Sequence, residues 1–166
     1  PYKFEIASDY LRDFGFASHE MVAEIHESIR HCDENIPNAN YALGMLGRFY
    51  AESEQDKEAA FDRIERAALQ GHATAAKTLA LMLKEGEGCI MNLEASEDWL
   101  KKAHKLGDSE AAYTLGYYYL KGLGSIRQSY NKAVRWFKKS HYPMAKHWLA
   151  LCPRWREGSL SCQETI

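Results

Sequence analysis

The chain has 166 residues and a formal net charge of −2, with 46% hydrophobic and 27% charged residues. These proportions exclude a disordered tail, a collagen-like fibre and a disulfide-dense miniprotein, and the length leaves little room for more than one domain. The small net charge also hides a gradient: residues 1–70 carry 7 Lys/Arg against 14 Asp/Glu, residues 71–110 carry 5 against 7, and residues 111–158 carry 9 against 1.

No run of about 18 consecutive apolar residues is present, so no segment reads as a membrane-spanning helix. The chain opens Pro1-Tyr2-Lys3, with no initiator Met and no basic-then-apolar leader, and reads as a fragment or a processed form. Cys32, Cys89, Cys152 and Cys162 form no Cys-x-x-Cys pair and keep no constant spacing. They read as reduced structural thiols, which favours a cytoplasmic location.

Residues 1–37 come first. Phe4, Ile6, Ala7, Tyr10, Leu11 and Phe14 predict a short amphipathic helix. Ser18 then serves as a candidate N-cap for a helix through Ile29, with Met21, Val22, Ile25 and Ile29 as its apolar stripe. This acidic pair is expected to cap the helices from residue 38 onwards.

At residue 38 an internal period takes over. Ala42-Leu43-Gly44-Met45-Leu46-Gly47 is matched by Ala75-Ala76-Lys77-Thr78-Leu79-Ala80, by Ala111-Ala112-Tyr113-Thr114-Leu115-Gly116 and by Ala145-Lys146-His147-Trp148-Leu149-Ala150. The Leu positions step by 33, 36 and 34 residues. A second series lies between them, in the segments 60–67, 96–103 and 133–140. Each holds small residues seven apart with a large apolar pair between, such as Trp99-Leu100 and Trp136-Phe137. That spacing places one stripe on one helical face. Each unit therefore reads as helix A, a loop, helix B and a turn, with Gly71 and Gly107 at the turns. Such a hairpin cannot bury its apolar face alone, so the units must stack into a solenoid.

The combination A-x-x-x-L-G, an aromatic, G-x-G and A-x-x-W-hydrophobic-x-x-A resembles the Sel1-like repeat, a relative of the tetratricopeptide repeat with a longer A–B loop. Lys84-Glu85-Gly86-Glu87-Gly88 and Leu120-Lys121-Gly122-Leu123-Gly124 carry the loop part of the resemblance. The fold expected is an all-α, right-handed solenoid of antiparallel helix pairs, about nine helices forming one domain over residues 1–166. Residues 38–152 would supply about three and a half repeats and residues 153–166 a tail. Three departures stand out, one being that the pattern stops at Pro153, after Cys152. Repeat one has Ala51-Glu52-Ser53-Glu54-Gln55 in place of the glycine loop, and the connection at Ser140-His141-Tyr142-Pro143 is about three residues short, which leaves the angle of the last helix open.

Catalytic chemistry finds no foothold. HExxH, GxSxG, P-loop and Rossmann fingerprints are all missing, and the glycine loops follow no strand. His26, His31 and Cys32 lie close in sequence, but His26 and His31 are about 500° apart on a helix and lack the convergent third and fourth ligands that zinc requires. Glu52/Glu54 and Glu85/Glu87 sit in predicted loops, where solvation keeps a carboxylate from acting as a general acid. No catalytic residue, metal ligand or cofactor is therefore assigned.

What remains is surface. In stacked hairpins the A helices line the concave side. The resemblance to tetratricopeptide repeats implies groove positions five and two residues before and two and five after the helix-A Leu. They are Tyr41, Gly44, Arg48 and Ala51; Thr74, Lys77, Leu81 and Lys84; Glu110, Tyr113, Tyr117 and Leu120, with Lys121 adjacent; and Met144, His147 and Leu151. Tyr41, Arg48, Lys77, Lys84, Tyr113, Tyr117, Lys121 and His147 would form a basic and aromatic stripe suited to an acidic protein or peptide segment. A second face, Lys132, Arg135, Lys138 and Lys139, makes the chain dipolar. It admits nucleic acid or an anionic surface as a rival partner, and acid-to-base self-association between chains. The family resemblance implies a non-enzymatic adaptor. A regulatory repeat domain within a longer enzyme is the third reading.

Overall fold

The computed structural model describes residues 35–123 and 126–156, with side chains described as far as Leu151. Seven helices follow one another: α1 (Pro37–Phe49), α2 (Glu54–Leu69), α3 (Ala73–Glu85), α4 (Leu93–Lys105), α5 (Ala111–Lys121), α6 (Tyr130–Lys139) and α7 (Pro143–Arg156). There is no strand among the described residues. The two N-terminal helices expected from the sequence lie outside them, as do His26, His31 and Cys32.

The helix starts arise from local chemistry. Ser53 and Asp56 close a capping box at α2: the Ser53 hydroxyl oxygen accepts from the Asp56 amide while the Asp56 carboxylate accepts from the Ser53 amide. Asn92 and Ser129 cap α4 and α6 through their side-chain oxygens. At α3 the cap is a histidine, whose Nδ1 accepts from the Ala75 amide at 3.0 Å. The A helices of repeats two and three end at Gly86 and Gly122 in the left-handed region, where the missing Cβ removes the steric penalty.

Each helix packs against the next in the chain, α1 on α2, α2 on α3 and so on to α7. This sequential contact between antiparallel neighbours makes a solenoid. The predicted register holds in the core. Leu46, Leu79 and Leu115 are buried on the A helices, and Ile64, Leu100 and Phe137 face them from the B helices with no exposure at all. Every such side chain taken from water stabilises the fold by about 1.5–3 kcal/mol. The small residues Ala60, Ser96 and Ala133 complete the B-helix stripe. Ser96 is polar at a core position, and its hydroxyl donates to the Ala80 carbonyl at 2.6 Å and lies 3.4 Å from the Tyr118 hydroxyl. Its burial is thereby matched by hydrogen bonding.

The last A helix departs from the expected register. In α7 Trp148 and Ala145 are buried, whereas Leu149, at the position of the core Leu, is only half-buried. The short connection turns α7 so that the indole enters the space beside Phe137, with ring centroids 6.3 Å apart and nearly parallel planes.

Candidate partner-binding surface

Two of the groove positions implied by the tetratricopeptide spacing face inwards. Gly44 is buried against α2, where a Cβ would meet Ile64 Cγ1 at 2.5 Å. Leu120 is 1% exposed. The spacing rule assigns directions along an ideal helix, and close helix approach removes these two residues from the surface.

Three cations on the A helices of repeats one and two are engaged by the protein's own carboxylates. The Arg48 guanidinium on α1 holds Glu87 of the glycine loop of repeat two, with Nε donating to both carboxylate oxygens at 2.9 and 2.8 Å and Nη2 at 2.7 Å. Such a paired, charge-assisted contact is among the stronger polar interactions a surface offers. Lys77 on α3 donates to Glu110 at 2.5 Å and lies 3.8 Å from Asp108, with its side chain only 16% exposed. Burial there opposes the charged ammonium, but the Glu110 hydrogen bond and the Asp108 charge outweigh it and raise the Lys77 pKa. Lys84 lies 3.6 Å from Glu85. Repeats one and two, and two and three, are thus tied by ion pairs. The A-helix stripe is less basic than its sequence implies.

Its aromatic residues divide into two places. Tyr41 stacks on His72, 4.6 Å between centroids. Tyr113 and Tyr117 on α5 come together with residues of the α6–α7 corner. The Trp148 indole N–H donates to the Tyr113 hydroxyl at 3.3 Å. Tyr142 lies 5.0 Å from Tyr113, and Tyr117 lies 6.2 Å from Trp148. Lys121 reaches over the Tyr117 ring at 5.9 Å, and exposed His147 meets Trp148 edge-on at 5.8 Å. Tyr113, Tyr117, Lys121 and His147 are therefore one contiguous patch. Tyr142 and Trp148 belong to it and were not singled out by the repeat pattern. Their only signal was an aromatic residue within the shortened connection and another in the helix that follows it.

On the other helix of repeat three, Lys132, Arg135, Lys138 and Lys139 are all exposed. With Tyr119 and Trp136 they line an open basin of about 410 Å³. Lys132 covers the Tyr119 ring at 5.0 Å and Lys139 the Trp136 ring at 4.5 Å. The Tyr119 hydroxyl donates to Glu97 at 2.5 Å. Burial, together with that carboxylate, pushes its pKa up to about 12. None of the four cations pairs with a carboxylate among the described residues. Residues 111–156 contain no Asp or Glu at all. Also among the described residues, no three His, Cys, Asp or Glu side chains converge as metal ligands. No described helix is long and apolar enough to cross a membrane.

The Sel1 repeat family model matches residues 37–72, 75–108 and 109–140, which correspond to the three complete helix pairs. The chain belongs to the Sel1 repeat family. Among solved structures, a Sel1 repeat protein from Oxalobacter formigenes is similar at a TM-score of 0.64 and 23% identity, over 78% of this chain and 58% of that one. A protective antigen of uropathogenic Escherichia coli with an SLR fold is similar at a TM-score of 0.69 and 23% identity, over 97% of this chain and 34% of that one. The Sel1 chain described here spans about a third to three fifths of those relatives' lengths. At this identity they show the fold alone, and no curated protein matches.

Proposed function

We propose that this Sel1 repeat chain is a non-enzymatic, cytoplasmic interaction scaffold that binds a protein segment on its A-helix face. Sel1 repeats generally act as protein–protein interaction modules. The observation that carries the reading here is the patch of half-buried Tyr113, Tyr117 and Tyr142 around the buried Trp148, formed by α5, the α6–α7 corner and α7 and bordered by Lys121 and His147. Rigid aromatic side chains with an apolar body and a polar tip supply large contact area at little entropic cost, which is what interface hot spots favour. Arg48, Lys77 and Lys84 are already paired, so affinity for a partner is carried by aromatic contacts.

The test is an affinity capture from source-cell lysate with nuclease added, run on the parent and on a Tyr113→Ala, Tyr117→Ala, Lys121→Ala variant shown to melt cooperatively. Proteins retained by the parent and lost from the folded variant support the reading. Identical profiles remove it.

A second reading rests on the carboxylate-free stretch 111–156: the α6 face binds nucleic acid or an anionic surface. Its affinity would fall steeply with salt as counterions are released, whereas aromatic anchoring changes little.

A further inference from the structure

We propose that the basic stripe on α6 is the docking site for the acidic N-terminal segment of a second copy of this chain. The stripe is built for carboxylates. Lys132, Arg135 and Lys139 stand at i, i+3 and i+7 of one helix, a spacing that puts them on one face over about 10 Å. Lys138 flanks them, and all four are exposed and have no carboxylate partner among the described residues. Glu97, which accepts from the Tyr119 hydroxyl in the same basin, is also held by Lys101. Arg48 and Lys77, by contrast, are answered by Glu87 and Glu110.

The complementary charge is present in the same polypeptide. Residues 1–34 hold 8 Asp/Glu against 3 Lys/Arg, a strong acidic excess at the opposite end of the sequence. Glu20, Glu24 and Glu27 are spaced i, i+4 and i+7, the same period as the stripe. Those residues lie outside the described ones. A chain acidic at one end and basic at the other is self-complementary, and two copies can pair end to end.

The rings beneath the stripe favour a carboxylate-bearing segment over single-stranded nucleic acid. Stacking of bases needs an open aromatic face, and here Lys132 covers Tyr119 while Lys139 covers Trp136.

Sedimentation velocity on the full chain across a concentration series tests the proposal. At low salt the parent is expected to rise above the 19.0 kDa monomer with concentration. Screening should weaken that association about tenfold or more once salt is raised well above physiological strength. An Arg135→Glu, Lys139→Glu variant should remain monomeric, as should a Glu20→Lys, Glu24→Lys, Glu27→Lys variant. An equimolar mixture of the two should associate again, because each then offers the other a charge-matched pair. Circular dichroism melts of both variants check that they fold. A parent that stays monomeric at every concentration overturns the proposal, and so does failure of the mixture to associate. A monomeric parent that binds a fluorescent oligonucleotide in a salt-sensitive way also overturns it, and assigns the stripe to nucleic acid instead.

Discussion

Gly116 of α5 faces the ring of Phe137 on α6 so closely that a Cβ at residue 116 would sit 2.6 Å from both Cδ1 and Cε1. The ring is fully buried and cannot swing away. A helical glycine ordinarily costs up to about 1 kcal/mol relative to alanine. Here the close approach of two helices offsets that cost, because any side chain would push α5 off α6. Gly116→Ala is therefore expected to destabilise by about 1–3 kcal/mol, the usual penalty of overpacking, despite its better helix propensity. A lowered midpoint in urea with an unchanged slope would show it. Gly47→Ala, whose Cβ meets only the Ala60 Cβ and Cα at 3.2 and 3.6 Å, should cost clearly less.

The glycine loop of repeat two is keyed into the preceding repeat. Gly88 has φ +67°, and a Cβ there would collide with the Lys57 carbonyl at the start of α2. Gly71 has φ +91° with nothing within 4 Å. Gly71→Ala should then cost only the left-handed strain, about 1–2 kcal/mol. Gly88→Ala should lose more, and added loss should be seen as faster proteolysis near residues 85–92. Equal losses at both positions would mean that the loop does not seat on repeat one.

His72 predicts a dependence of stability on pH. Its Nδ1 must be unprotonated to accept the Ala75 amide, and its ring stacks on Tyr41. Burial holds its pKa below 6.5. The positive end of the α3 dipole acts in the same direction. Because the folded value is depressed, the unfolded chain takes up the proton first. The contribution is complete above about 6.5 and declines as pH falls from there through the folded value. His72→Asn keeps an oxygen acceptor for the cap and should flatten this part of the profile. Thermal midpoints of parent and variant between pH 7.5 and 5 (roughly the window set by the unfolded histidine) give the comparison.

Lys77 couples repeats two and three. Asp108 also accepts from the amides of Glu110 and Ala111 at the start of α5, and its side chain is 7% exposed. Lys77→Ala removes the cation shared by Glu110 and the nearly buried Asp108, which keeps its two amide donors, and is expected to cost about 1–3 kcal/mol through the lost charge-assisted hydrogen bond. In a double-mutant cycle with Glu110→Gln the two changes should fail to add by about 0.5 kcal/mol or more. Strict additivity would make the pair a surface contact without consequence.

How much of this was legible in the sequence depends on distance along the chain. The repeat register was, since Leu46, Leu79 and Leu115, and likewise Ile64, Leu100 and Phe137, fall at fixed steps and are all buried. The helix ends at Gly86 and Gly122 were equally plain. The pairing of Arg48 with Glu87, 39 residues away, was not. A periodic rule tells which way a residue points along its own helix, but not which loop of the next repeat lies over it. The same limit hid the inward burial of Gly44. It also hid Trp148, which enters the core because a connection three residues shorter than its counterpart turns α7. Ser96 was aligned with Ala60 and Ala133 as a small residue, and only the fold reveals that its hydroxyl bridges Ala80 and Tyr118.

The central claim is that the aromatic patch on the A helices receives a protein. Site-specific photo-cross-linking tests it most directly, with a benzophenone amino acid placed at Tyr117 in one chain and at exposed Lys105 in another, each irradiated in source-cell lysate treated with nuclease. The account predicts discrete protein adducts from residue 117 that the Lys105 probe does not give and that excess unmodified chain competes away. Adducts of the same pattern from both positions, or none from residue 117, would contradict it.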